Sequence, residues 1–357
     1  MVLLVYDPET FESLGMIEAY ESLQWVRRWH EPGEFELHIP YTEDAARLLR
    51  RENILVKDAE AGVIEAVYYS GDKNKADMIE CRGYTLAGYA RRRIIWDKLT
   101  ITGAPEEIML QLAEHNLGPS AGAERAISGL TVADVAGLAG DVMEYQSERR
   151  NLCDELRSLS EQSSLGWDIV WNGDGTMTFR VLHGLDRTQA QDENSWAIFS
   201  RGYENLSRPE YEEDARTLKN VVLVTAEANN VELTVTVGDA VGYIRREMML
   251  NATGVDKDDN GNNLSRQQSE ELMRTRGETE LADNALVQSM TGDVSPVGNI
   301  VYRQDYDLGD VVTCLDERWG VASSARITEV KEIYEKNGLT LSLTFGRSVN
   351  FWRWLNG

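Results

Sequence analysis

A β-rich α+β fold is predicted by three features of the sequence. The run LTLSLTFG after Asn337-Gly338 puts Leu339, Leu341, Leu343 and Phe345 on one face and Thr340, Ser342 and Thr344 on the other, the period-two pattern of a half-buried strand. EFELHIP repeats it, with Phe35, Leu37 and Ile39 opposite Glu34, Glu36 and His38. Between them, Leu152, Leu156 and Leu159 recur at helical spacing. WDIVW and TMTFRVL follow at once around Asn172-Gly173-Asp174-Gly175, making a helix-plus-hairpin unit.

Taken in order, residues 1–98 predict strands broken by one short helix, a small barrel or sandwich. Gly33 leads into EFELHIP, Pro40 closes it, and Thr42 caps a helix running through Leu49. ILV (54–56), GVIEAVYY (62–69) and ADMIECRG (76–83) are further strands, separated by Gly, Asp and Asn. Residues 99–200 predict an α+β domain. Pro105 stands at a first helical position with Glu106 and Glu107 in the first turn and Gly118 past the end, and a second helix between Glu148 and Leu165 is stopped by Gly166. NVVLVTAE, NVELTVTVG and GYIRREMML return to strands in 201–250. A helical stretch from about Leu264 to Met290, within an inserted segment 251–299, separates them from the strands of 300–347. A second β unit is therefore read as 201–250 plus 300–347, with its insertion at an exposed end. Asn337-Gly338 is read as a type I′ turn with both residues at positive φ. Residues 348–357 form a C-terminal aromatic tail.

The length of 357 residues suits two to three domains. Sixty acidic against 36 basic residues, a formal net charge of −24, argue against a protein that binds nucleic acid by neutralising phosphates. The excess of acid serves solubility. Cys81, Cys153 and Cys314 are odd in number and far apart, which indicates neither a disulfide framework nor a zinc ribbon and fits a reducing compartment. MVLLVYDPETF is too short and lacks the basic start of a secretory signal, and no run of about 18 apolar residues predicts a membrane span. A chain made and assembled as a soluble intracellular protein is expected.

Candidate chemistry is sparse. Asp256-Lys257-Asp258-Asp259-Asn260-Gly261 matches the start of an EF-hand loop, but the twelfth position is Gln267 and the residues before it, REMML, read as a strand. The loop reads as a polar turn, with a weak cation site as the alternative. His30, His38, His115 and His183 are scattered and show no zinc spacing. His183, Asp186 and Arg187 in HGLDRT could be drawn as a base and its orienter, yet no nucleophile motif accompanies them, so a closing loop is the reading. Asp305, Asp307 and Asp310 in DYDLGD could chelate a metal, and Leu308-Gly309-Asp310 at a strand entry reads more simply as a turn. No catalytic, cofactor or metal residue is assigned, and no cofactor is expected. Phe351, Trp352 and Trp354 form an aromatic terminus suited to an interface, with packing back on its own domain as the alternative.

The succession VYDPETFESLGMIEAYESLQWVRRWHEPGEFELHIP, CRGYTLAGYARRRI, HGLDRT, IFSRGYENL, DYDLGD, RITEVKE and TFG resembles the tail-tip (baseplate) hub proteins of long-tailed siphophages, a family similar in fold to contractile-tail baseplate hubs. The resemblance extends over nearly the whole chain. It implies two tail-tube-like β-barrel domains, an α+β domain and a helical insertion inside the second barrel, with no chemistry of its own. It further implies a homotrimeric ring closing the tail tube at the virion tail tip, assembled in the host cytoplasm. The partners implied are a distal tail protein ring, the C-terminus of the tape measure protein and receptor-binding or fibre proteins. DNA would pass only in transit, through a bore that acidic residues would keep non-adhesive. Larger relatives carry a C-terminal hydrolase or fibre extension, so wall degradation is expected of another protein. The competing reading is a carbohydrate-binding or carbohydrate-cleaving tail receptor protein, which needs an exposed groove lined by Trp and paired carboxylates. Trp25, Trp29, Trp167 and Trp171 lie in strands and support it weakly.

Overall fold

The computed structural model of the chain describes residues 1–73, 75–228, 231–296 and 298–347. The tail residues Phe351, Trp352 and Trp354 lie outside the described residues. Strands β1 (Leu3–Tyr6), β2 (Ser13–Ile17), β3 (Ser22–Arg28), β4 (Glu34–Pro40), β5 (Ile54–Lys57), β6 (Glu60–Asp72) and β7 (Lys75–Thr85) make the first β unit, with helix α1 (Glu43–Leu48) after β4. Phe35, Leu37 and Ile39 of β4 are buried as their alternation predicts, and Thr42 caps α1 by accepting from the Ala45 amide at 3.0 Å. The α+β part follows: β8 (Leu99–Gly103), α2 (Pro105–Asn116), β9 (Leu130–Val132), β10 (Met143–Ser147), α3 (Leu152–Ser163), β11 (Gly166–Trp171) and β12 (Met177–Leu182). Helix α3 buries Leu152, Leu156 and Leu159 and starts at Asn151, whose side chain accepts from the Cys153 and Asp154 amides. Asn151→Ala should cost about 1 kcal/mol in a denaturant titration; no loss would show that the tertiary contacts alone hold the helix end.

The rest of the chain runs β13 (Ile198–Ser200), β14 (Leu206–Asp214), β15 (Val221–Ala228), β16 (Val231–Val237), β17 (Glu247–Asn251), α4 (Arg266–Asp283), β18 (Val287–Val294), β19 (Val311–Asp316), β20 (Val321–Glu335) and β21 (Gly338–Arg347). The sheet pairing differs here from the sequence reading. Strands β15, β16 and β17 hydrogen-bond to one another and pack on α4 around Val222, Val224, Leu272 and Met273, so they belong with the helix and not with the second β unit. The helix ends at Asp283, and 287–294, read as helical to Met290, is a strand between β14 and β21. Its burial alternates over most of its length, and Gly292 leaves no room for a Cβ against Leu206. Two turn readings also shift. At the last hairpin the turn residues are Lys336 and Asn337, and only Gly338 takes a positive φ, 112°. Helix α3 ends on Ser164 in the left-handed region, φ 62°, and Gly166 instead opens β11.

The expected pair of barrels is one continuous sheet of 13 strands, and among the described residues no sheet closes. Its main path is β14-β18-β21-β20-β3-β4-β7-β6-β5-β1-β2, with β19 beside β20 and β13 beside β19. Each half curls around its own core: Leu3, Leu23, Trp25, Leu37 and Cys81 in the first, Phe199, Val312, Ile327, Leu343 and Phe345 in the second. The consecutive strands β2 and β3, and likewise β13 and β14, share a core without pairing, and each curl stays open there. Strand β20 makes the union possible because it changes partner along its length. Val321–Arg326 pairs with β19, and after an irregularity at Thr328 the stretch Glu329–Glu335 pairs with Arg28–Ser22 of β3.

Candidate functional site

The seam between β3 and β20 concentrates the ionisable groups. Lys57, fully buried at the end of β5, donates to Glu332 at 2.6 Å and lies 3.0 Å from Glu60. Arg27 reaches Glu60 at 2.8 Å and Asp307 at 2.6 Å, while Arg303 bridges Glu60 at 2.8 Å and Glu332 at 2.9 Å. Tyr334 and Tyr302 also donate to Glu332, at 2.6 and 3.0 Å. Burial pushes the Glu332 carboxyl up, but Lys57, Tyr334 and Arg303 outweigh it and hold it down to about 2. Asp168 of β11 goes the other way, raised by burial to about 6 against the pull of Arg27. These charges are matched to one another, not aimed at an open space, which is the arrangement of a specific structural joint.

Beside this seam a single indole locks three parts together. Trp29, 2 % exposed, follows β3 and donates from Nε1 to the Ser164 carbonyl at 3.2 Å. A Cβ at Gly309 would lie 2.0 Å from its ring and one at Gly166 2.6 Å, so both backbones touch the indole directly. Gly309 also has φ 92°, which glycine alone adopts at little cost. The motif around Gly309 explains the carboxylates singled out in the sequence. Asp305 accepts from the Val301 amide, Asp307 from the Leu308 amide and Arg27, and Asp310 from the Leu185 amide and Arg187. DYDLGD is thus a turn, and HGLDRT lies against it: Gly184 approaches the Gly309 carbonyl so closely that no Cβ fits.

The remaining candidates are not brought together. His183 is exposed, Asp186 turns to the Thr188 amide, and Arg187 is spent on Asp310. His30 contacts Ser160 at 2.7 Å, with its imidazole lowered to about 3 chiefly by burial, and His38 pairs with Glu36 on the same strand. In the EF-hand-like loop, Asp258 accepts from the Asn260 and Asn262 amides, while Asp259 accepts from Thr100 of β8 at 2.6 and 2.9 Å. The loop is a polar strap that fastens the α4 segment to β8, and among the described residues no group of His, Cys, Asp and Glu is arranged to hold a metal. The three cysteines are buried, their thiols pushed up to about 12 mainly by desolvation. Trp25, Trp29, Trp167 and Trp171 are all core residues.

A cleft of about 220 Å³ opens away from the seam, between β10, α3, β17 and α4. Its Arg276 donates to the Thr253 carbonyl at 2.7 Å and to Gln146 at 3.0 Å, and Tyr145 donates to Glu155. Sequence reasoning missed the joint altogether. The one local signal was Lys57, a cation closing the otherwise apolar strand ILVK; Arg27 and Glu332 stand among other polar residues in their strands and gave none.

Among the described residues, no helix is long and apolar enough to cross a membrane. No curated protein sequence is similar enough to the chain to count as a relative. Solved structures are. The chain superposes on a tail protein from Neisseria meningitidis MC58 with a TM-score of 0.58 at 14 % identity, covering 98 % of each chain. It also matches a 43 kDa tail protein of prophage MuSo2 from Shewanella oneidensis (TM-score 0.58, 10 % identity, 97 % and 98 % covered). A third match is prophage tail protein gp18 from Listeria monocytogenes EGD-e (TM-score 0.54, 14 % identity, 100 % of both). At such identities the likeness is one of fold. The sequence is matched over residues 2–347 by the model of one family, and the chain therefore belongs to the Siphovirus ReqiPepy6 Gp37-like protein family.

Proposed function

We propose that this protein is the structural hub of a phage tail tip, a trimeric ring that closes the tail tube, passes DNA and carries out no catalysis. The observation that carries the reading is the pair of curled β units fused edge to edge through β20 and β3, with β14 and β2 left, among the described residues, as free edges at the ends of the sheet path. Two similar-sized β units per chain let three chains present six units to a sixfold tube, through heterologous contacts that close by rotation. The partners that fit are a distal tail ring above, the end of the tape measure protein within, and receptor-binding or fibre proteins below. The carbohydrate alternative draws no support from Trp25, Trp29, Trp167 or Trp171, which are buried.

The test is mass in solution, for the chain alone and mixed with its distal tail protein. A species of three 40.2 kDa chains is expected in at least the mixture. A monomer in both, together with binding or cleavage of a cell-wall polysaccharide, would replace the hub reading with the receptor one.

A further inference from the structure

In a chain whose acidic residues outnumber its basic ones by 60 to 36, six arginines are drawn together around one backbone junction. The chain after β7 runs through Arg91, Arg92 and Arg93 and meets Arg149 and Arg150 in front of α3 by backbone bonds. The Ile95 amide donates to the Arg150 carbonyl at 2.8 Å, and the Arg149 amide to the Ile95 carbonyl at 2.7 Å. Arg125 joins them by donating to the Ile94 carbonyl at 2.8 Å, and Arg93 donates back to the Arg125 carbonyl at 2.9 Å. Counter-charges are incomplete. Arg92 pairs with Glu52 and Glu65, Arg149 with Glu148 and Arg150 with Glu155, but Arg91, Arg93 and Arg125 form no ion pair among the described residues. Arg91 and Arg125 lie instead over aromatic rings, of Tyr84 at 4.6 Å and Trp96 at 5.7 Å. Trp96 is 62 % exposed and Ile94 43 %, so exposed apolar side chains stand beside Arg125.

Crowded guanidinia without acids repel one another, and that cost is recovered only when negative charge arrives from outside. Exposed Trp with Arg beside it is the composition of protein-interface hot spots. Nucleic acid carries its negative charge along its whole length against the field of a chain at −24, whereas a protein partner needs acid only at the point of contact, so a local acidic patch is the better complement. One is on the page. Among the described residues strand β14, at the end of the sheet path, pairs with β18 alone, and it carries exposed Glu210, Glu212 and Glu213, none in an ion pair among those residues. The neighbouring cations are engaged elsewhere, Arg216 with Asp214 at 2.5 Å and Arg208 with Asp293. The two surfaces belong to different parts of the chain, so their meeting between copies is heterologous.

We infer that the Arg91–Trp96–Arg149 surface docks the acidic β14 edge of a second copy of this chain. The inference rests on the ring-forming reading above and names the faces that meet. Sedimentation of the full chain tests it at about 50 and about 500 mM salt. Wild-type self-association should weaken about tenfold or more in high salt, as contacts between exposed charges do. R91E/R149E should weaken it similarly at low salt with unchanged thermal stability, and adding E210R/E212R to that variant should restore it. Unchanged association of R91E/R149E, or failure of the swap to restore it while wild type still forms trimers, overturns the docking faces and leaves the ring standing. A wild type that stays monomeric at low salt, alone and with its distal tail protein, overturns both. A labelled DNA duplex bound by wild type and lost in R91E/R149E, without self-association, overturns the protein partner in favour of nucleic acid.

Discussion

Trp29→Ala should destabilise the chain by about 3–5 kcal/mol, the upper range for deleting a buried indole. The ring does more than fill volume. It spans the end of β3, the backbone of Gly309 in the turn before β19, and Gly166 at the start of β11, so its loss loosens the first β unit, the second and the α+β part together. Collapse into the vacancy is hindered because both glycine backbones are held by their own hydrogen bonds: the Gly309 amide donates to the Ile327 carbonyl at 2.8 Å. Urea unfolding reads the effect directly. A loss below about 1 kcal/mol would mean that the indole sits in a site able to close over it. Gly309→Ala, which drives a methyl into the same ring at φ 92°, should be comparably harmful, and the two changes together should cost less than their sum because they damage one contact.

Glu332→Gln should cost about 3–5 kcal/mol at neutral pH, because it leaves Lys57 buried with half its compensation gone. The effect has a pH signature. The Glu332 carboxyl is held at about 2 in the folded chain against an ordinary 4.5, so the folded state binds its proton less readily than the unfolded one. Its contribution is therefore complete above about pH 4.5 and is lost as the pH falls toward 2. The wild-type advantage over Glu332→Gln should shrink across that window, and a difference that stays constant from pH 7 to pH 2 would show that the carboxylate charge is not what the joint uses. Asp168 has the opposite sign: its carboxyl is raised to about 6 from 3.8, so stability from that group falls as the pH rises between those values. Replacing both Lys57 and Glu332 with apolar residues of similar volume should be far milder than either single change.

What could be read from the letters was local. Alternation in EFELHIP, the Thr42 cap, Pro105 at the head of α2 and the hairpin at 172–175 each depend on neighbours a few residues apart, and each is found in place. Partner choice was not local. NVVLVTAE and RITEVKE are equally good strands, and nothing within them says that the first packs under α4 while the second joins β3. Residues 287–294 carry Gln, Ser, Thr and Gly beside their apolar positions, and only the flanking strands β14 and β21 make them extended. The joint was hidden for the same reason, since Lys57 and Glu332 are 275 residues apart. The motifs HGLDRT and DYDLGD were noticed singly, and their mutual contact at Gly184 and Gly309 required the fold.

That distance bears on how the protein is made. The ion pair from Arg28 to Glu329 spans 301 positions, so β3 emerges from the ribosome long before the strand that covers it. At about 5–20 residues per second, that edge waits about 15–60 s with its amides and carbonyls unmated. The nascent amino-terminal half is then a template for stray strand addition, and the arginines and acids along β3 and β4 are the charges that discourage it.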